Sequence, residues 1–185
     1  RSTRPVDEKG IELTDLIKEL DEDSITYDNI SVSFDRQSGV VYLTIKGPSG
    51  DLPVESESIA ALGDKYWPLA VARELDDAII HLSFNELELG TWVFRSIGST
   101  DRVAEVDEVL IKHKDHWLVN EIIQYLKRDL KRLDLASRSL VTLVEPGSCF
   151  AGTLLELVFA ADRSYMLDGI FQDTCEPPAV LRTTE

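Results

Sequence analysis

The sequence has few cysteines and no long hydrophobic run. Only two cysteines occur in 185 residues, too few for a disulfide framework, so we expect a reducing, cytoplasmic setting. The longest strongly apolar stretch, residues 154–161, is far too short to span a bilayer. Residues 1–7 are polar and hold no apolar signal region. The sequence therefore predicts neither a membrane protein nor a secreted disulfide scaffold.

Basic residues are also scarce relative to acidic ones. Lys and Arg total 19 against 34 Asp and Glu, which gives a formal net charge of -15. Such an acidic surface argues against nucleic-acid or membrane binding, because phosphate contacts need a positive face. The hydrophobic share of 43% is ordinary for a globular protein. The length suits one domain or two small ones.

The first half of the chain predicts mostly strands. Apolar residues at roughly helical spacing in residues 11–20 predict a short amphipathic helix, frayed by the acidic residues that follow. Alternating residues 25–34 and the β-branched run 40–45 flank a short Gly-containing loop, which predicts a β-hairpin. Residues 47–64 are dense in Gly, Pro, Ser and acids and predict a loop.

The second half alternates between helical and strand patterns. The predicted helices cover residues 67–82, 117–135 and 152–162, with a short helix or irregular stretch at 103–111. The predicted strands cover residues 87–97, 139–144 and 165–167. Strands that alternate with helices predict an α/β layered fold.

Residues 139–167 contain the most specific chemical signal. An apolar strand leads into the tight turn 146–148 and then into a helix that is apolar on every side, so we expect that helix to be buried all round. Glu156 is its one ionisable residue before Asp162. Burial raises the pKa of a carboxyl group, whereas a nearby helix N-terminus lowers it. Glu156 is therefore a candidate general acid or base near neutral pH.

The start of that helix is a candidate binding site for a carbonyl oxygen. Ala151 and Gly152 place small residues where free backbone N–H groups point outward from the first turn. Two such N–H groups can bind a developing oxyanion. The alternative interpretation is structural: Glu156 forms hydrogen bonds inside the core, and the small residues allow close helix packing.

The strand, the small-residue turn and the spacing of Glu156, Leu157 and Asp162 resemble the enoyl-CoA hydratase/isomerase (crotonase) superfamily. In that superfamily a helix of form E-L-x-x-x-x-D helps to build an oxyanion hole for a CoA thioester. The resemblance covers roughly residues 60–168 and is nearest to lyases of aromatic breakdown. The chain begins with Arg rather than Met, and we expect it to be a segment of a longer polypeptide or a processed chain.

The resemblance implies an α/β, crotonase-like (ClpP/crotonase) fold. Residues 59–185 would form a crotonase-like domain, the truncated C-terminal half of the enzyme, and residues 1–58 would be a linker and β-hairpin region that joins two halves. The implied partners are an acyl-CoA substrate, the N-terminal crotonase-like half of the same polypeptide and further copies of the chain. No metal or redox cofactor is implied, since CoA arrives with the substrate.

The resemblance also implies a reaction. An aromatic-derived epoxide of a CoA thioester would be opened hydrolytically, with carbon–carbon cleavage and loss of formate. Two alternatives stay open: a non-catalytic half that serves packing or oligomerisation, and a general enoyl-CoA hydratase or isomerase.

The resemblance assigns site residues position by position. Glu156 would be an acid/base, and Gly152, give or take one residue, would donate one oxyanion N–H. Val106 would donate the other, because Ala104-Glu105-Val106-Asp107 stands where the family has A-G-A-D after a strand. Glu105 in place of glycine, and Gly152-Thr153-Leu154 in place of a glycine triplet, would crowd the thioester site. Cys149 would line the pocket as a small residue, with a nucleophilic thiol as the alternative.

Two charged motifs are less specific. His113 and His116 are three residues apart and favour an exposed loop over a metal site, since no third ligand is in view. A basic cluster on the helix 117–135 would contact CoA phosphates, contact the partner half, or form a solvated face; its members are Lys127, Arg128, Lys131 and Arg132.

Overall fold

The computed structural model describes residues 4–171 and 176–184. Within these residues, seven strands form one mixed sheet in chain order: β1 (Glu19–Asp21), β2 (Ser24–Thr26), β3 (Ile30–Asp35), β4 (Val40–Lys46), β5 (Thr91–Ile97), β6 (Ser139–Val144) and β7 (Arg163–Met166). The helices of the described chain are α1 (Ser56–Leu62), α2 (Trp67–Asn85), α3 (Thr100–Lys112), α4 (Trp117–Asp134) and α5 (Gly152–Ala160). A 3-10 turn, Gly63–Lys65, joins α1 to α2. The predicted α/β architecture is confirmed.

The sheet changes direction at β4. Strands β1 to β4 pair antiparallel, and the β3–β4 pairing confirms the predicted hairpin. Strands β4 to β7 pair in parallel. Helices connect each of these strands to the next. Strands β1 to β4 precede residue 58 and pair into the same sheet as β5 to β7. The division into a linker region and a crotonase-like domain at residue 58 stays a prediction.

Two apolar clusters account for the packing. The larger one joins alternate residues of the central strands, such as Leu43 and Phe94, to the inner faces of α2 and α5. Alternation along a strand turns every second side chain to this side of the sheet. The smaller cluster joins α1, α3 and the N-terminal half of α4, with Ile59 and Val106 among its members. No helix among the described residues is long and apolar enough to cross a membrane.

The predicted helix over residues 11–20 is wrong. Residues 9–18 carry no regular structure, and residues 19–21 pair as strand β1. Contacts to other parts of the chain replace the helical ones: the backbone N–H and hydroxyl of Thr14 donate to Asp64 at 2.6 and 2.7 Å. Short isolated helices are marginal in water, so a few tertiary hydrogen bonds decide the conformation.

Other predicted elements differ from the structure as well, and the largest differences are in the first half of the chain and in α3. The predicted strand 25–34 is divided by a turn into β2 and β3. The predicted loop 47–64 contains α1, which packs through the fully buried Ile59. The stretch 103–111 is the centre of the longer helix α3. For α1, burial of Ile59 against the rest of the protein stabilises a helix that the local composition does not predict.

Candidate functional site

A groove of about 1210 Å³ lies between α3, α4 and α5. Its apolar lining includes Leu110, Leu126 and Phe159, and Gly152 with Thr153 forms the end where α5 begins. Of the strand–turn–helix region that the sequence singled out, only the helix borders the groove.

The first backbone N–H group of α5 forms a hydrogen bond with the chain's own backbone. Gly152 has φ of 45°, a conformation that favours glycine. Its N–H donates to the carbonyl oxygen of Arg182 at 3.2 Å, and residues 151 and 182 form an isolated parallel bridge. The C-terminal residues thus lie across the position where an oxyanion would meet this N–H group.

The second backbone N–H group of α5 forms a hydrogen bond with a side chain from α3. Asp107 is 5% exposed and accepts hydrogen bonds from the backbone N–H of Thr153 and, at 2.8 Å, from its hydroxyl. The residue before α5, Ala151, provides no side-chain cap, so Asp107 satisfies the helix end from a distant element. A Cβ on Gly152 would overlap this carboxylate.

Burial controls the protonation of Asp107. It raises the pKa of this carboxyl group, and the hydrogen bonds from Thr153 act in the opposite direction with a smaller effect. The hydroxyl of Tyr66 is buried nearby, and the charge of Asp107 contributes, after burial, to raising the Tyr66 pKa. The end of the groove is therefore filled by protein groups and carries a carboxyl group of its own.

Val106 does not lie in a loop, contrary to the sequence-based expectation. It is inside α3, 2% exposed, and its side chain belongs to the smaller apolar cluster. A backbone N–H inside an α-helix donates to the carbonyl four residues earlier, so it is not free for a ligand. The loop that directly follows β5 is instead Gly98-Ser99. Gly98 directly after the predicted strand indicates a turn at residues 98–101, and the structure places the end of β5 there.

Glu156 is exposed to solvent, so the expectation that its side chain is buried is wrong. It lies on the outer side of α5, where Phe159 is 68% exposed as well. The inner side of the same helix, with Leu154 and Leu157, packs into the main core. Helix α5 has apolar residues on all sides, but only one side faces the sheet, so the other side stays exposed. The catalytic role of Glu156 stays a prediction without the burial that motivated it.

Cys149 lies behind the groove and does not line it. Its side chain is fully buried, and its backbone N–H donates to the hydroxyl of Ser96 at 3.0 Å. Burial raises the pKa of the Cys149 thiol, which opposes formation of a reactive thiolate. The sulfur packs close to Gly47, where an added Cβ would lie 3.1 Å away. This geometry supports a small packing residue and gives no support to a nucleophile.

The basic cluster divides between two sides of α4. Lys127, Arg128 and Lys131 line the groove, whereas Arg132 forms an ion pair with Asp76 on α2. Of the two histidines, His113 contacts the carbonyl oxygen of Val54 at 2.9 Å. No cluster of three or more metal-binding side chains is present among residues 4–171 and 176–184.

The chain is similar to a curated enzyme. The chain is 46% identical over 167 residues to the benzoyl-CoA-dihydrodiol lyase of Aromatoleum evansii, a match that covers 90% of this chain and 30% of the relative. The chain thus spans less than a third of the length of the curated relative it matches. No protein-family model matches it. The predicted resemblance to a lyase of aromatic breakdown is confirmed, and the coverage is consistent with a C-terminal part of such a protein.

Proposed function

We propose that this chain is part of a lyase that acts on an aromatic-derived CoA thioester. The support is its 46% identity to the lyase of Aromatoleum evansii over 90% of this chain. A crotonase-like fold, hydrolytic opening of an epoxide and release of formate belong to the same proposal. The mixed seven-stranded sheet with crossover helices is compatible with that fold.

Within that enzyme, we assign this part a structural role. The observation that carries this assignment is the position of the Asp107 carboxylate on the N–H group of Thr153. An oxyanion hole needs two free donors aimed at the reacting oxygen. Here one candidate donor is bonded to Asp107 and the other to the carbonyl of Arg182. A carboxylate already in place would also repel the negative charge that develops on a thioester oxygen.

A chimaera tests both parts of the proposal. The matched segment of the Aromatoleum evansii relative is replaced by this chain, and turnover is measured as formate released from the epoxide of benzoyl-CoA. We expect turnover to be retained, because the replaced segment supplies packing surface and no reacting group. Glu156→Gln in the chimaera should leave turnover within about twofold, since loss of a general acid or base costs about 10²-fold or more.

The chimaera can contradict the two parts separately. A chimaera that folds and assembles but has no turnover contradicts the proposed lyase. A loss of 10²-fold or more in Glu156→Gln, with unchanged thermal stability, contradicts the structural role. Lys65→Glu, an exposed substitution outside the groove, serves as the control for non-specific effects.

A further inference from the structure

The helices that connect the parallel strands all lie on one side of the sheet. Strands β4 to β7 follow one another across the sheet in chain order, and connections between parallel strands are right-handed in nearly all proteins. The connections between these strands therefore cross the same face. The strand residues of the larger apolar cluster agree, since paired residues such as Leu43 and Phe94 point to that one face.

The opposite face of these strands, the open sheet face, carries apolar and aromatic side chains of its own. Tyr42 pairs with Val93 and Val93 pairs with Val141 on neighbouring strands, and Leu143 pairs with Tyr165 at the edge. None of these five side chains belongs to either apolar cluster of the described residues. Tyr165 is 54% exposed, whereas Val93 is buried at the centre of its row. No helix of the described chain covers this surface.

Few charges interrupt the open sheet face. Arg95 and Glu145 form an ion pair at 2.7 Å, and the guanidinium group of Arg95 lies 5.9 Å from the centre of the Tyr42 ring. Arg163 adds a positive charge at the β7 edge, where it pairs with Val141. Parallel sheets occur almost only with both faces covered. A face of this composition is therefore a surface for a further folded element.

The length of the relative indicates where that element comes from. The match covers 90% of this chain but 30% of the lyase of Aromatoleum evansii, so more than two thirds of the relative lies outside it. A region of the same polypeptide is held near this face at a high effective concentration, which favours it over a second copy of the chain. The ion pair of Arg95 with Glu145 is complete within the chain, so an apolar partner surface suffices.

We propose that the open sheet face is the docking surface for the remaining part of the lyase polypeptide. The inference rests on the proposed function, because it takes this chain to be one part of such a lyase. Apolar side chains of the other part cover Leu143 and Tyr165 and form the second layer over the parallel strands.

Co-expression of this chain with the remaining part of the Aromatoleum evansii lyase, as two polypeptides, tests the inference. We expect a complex with one copy of each in size-exclusion chromatography. Tyr165→Glu should weaken it at least about tenfold, because the complex would bury an unpaired charge, and Leu143→Glu should do the same. The matched control, Phe84→Glu, adds the same charge on α2 at a side chain that is 76% exposed, and should leave the complex unchanged. Circular dichroism melts confirm that each variant is folded.

A second measurement uses the chimaera. Hydroxyl-radical labelling of the Tyr165 side chain should be severalfold slower in the chimaera than in the isolated chain, because the other part of the polypeptide covers it. Labelling of Phe84 should be equal in the two proteins. This comparison needs no substitution, so it holds even if a glutamate variant fails to fold.

Four outcomes would overturn the inference. They are the absence of a complex between the two polypeptides, a complex that both glutamate variants leave unchanged, equal labelling of Tyr165 in the chimaera and the isolated chain, and a dimer of the chain alone that Tyr165→Glu dissociates. The last would assign the open sheet face to a second copy. An inactive chimaera in which Tyr165 is protected would contradict the proposed lyase and leave the docking surface in place.

Discussion

Asp129 on α4 allows a quantitative test of how burial acts on this fold. Its side chain is fully buried, and neither carboxylate oxygen accepts a hydrogen bond from the residues the structure describes. Burial raises the pKa of Asp129 from 3.8 to about 7, although the charge of Arg128 acts to lower it. An acid whose pKa is raised on folding is more protonated in the native state than in the unfolded state over that pH range.

The sign of the effect on stability follows from this difference in proton binding. Well below the unfolded pKa of 3.8 both states hold the proton, and ionisation of the group has no effect on the free energy of unfolding. As pH rises towards 7, the native state must either keep a proton that the unfolded chain releases or bury a charge, so stability falls. A pKa raised from 3.8 to about 7 corresponds to a loss of about 4 kcal/mol above pH 7.

The substitution Asp129→Asn removes this ionisation. We expect the variant to match the wild-type free energy of unfolding near pH 4.5 within about 1 kcal/mol, and to exceed it at pH 8 by up to about 4 kcal/mol. Urea denaturation at several pH values measures the difference. Asp134→Asn, an exposed carboxylate on the same helix, is the matched control and should show no such pH dependence. Parallel pH profiles for wild type and Asp129→Asn would refute the reasoning.

Two further predictions concern residues around α5. Asp107→Ala leaves the N–H and hydroxyl of Thr153 without their acceptor. The free energy of unfolding, measured by urea denaturation, should therefore fall by about 1 to 3 kcal/mol. An unchanged value would mean that the carboxylate does not cap α5. In a Cys175→Ser background, the buried Cys149 should react with a thiol reagent only as fast as the chain unfolds, and rapid labelling of the native protein would contradict its placement.

The elements predicted correctly have strong local patterns. Strand β6 matches its predicted bounds because an unbroken apolar and β-branched run is set between polar residues. Helix α4 has a single apolar stripe and a charged opposite side. Residues 11–20 have a comparable apolar content, but Thr14 is hydrogen-bonded to Asp64 and Arg73 and its segment forms no helix. That information is 50 residues away in sequence.

The filled end of the groove was missed for a similar reason. Asp107 and Thr153 are 46 residues apart, and no local motif joins them. A signal was nevertheless present in the helix itself. Asp107 follows Val106 in a stripe with Val103 and Leu110, all of which are buried. A carboxylate on the apolar side of an amphipathic helix requires a partner inside the protein, and the nearest unsatisfied donors are those at a helix N-terminus.

The E-L-x-x-x-x-D motif itself has a structural explanation in this chain. Leu157 is 2% exposed, and its carbonyl oxygen accepts a hydrogen bond from the buried Thr142 hydroxyl at 3.1 Å. Asp162 accepts the N–H of Leu140 at 2.8 Å, which fixes the start of β6 to the end of α5. Both residues thus position the helix on the sheet, and neither needs a substrate to account for it. The spacing therefore reports the fold, whereas the chemistry depends on whether the amides of Gly152 and Thr153 are free.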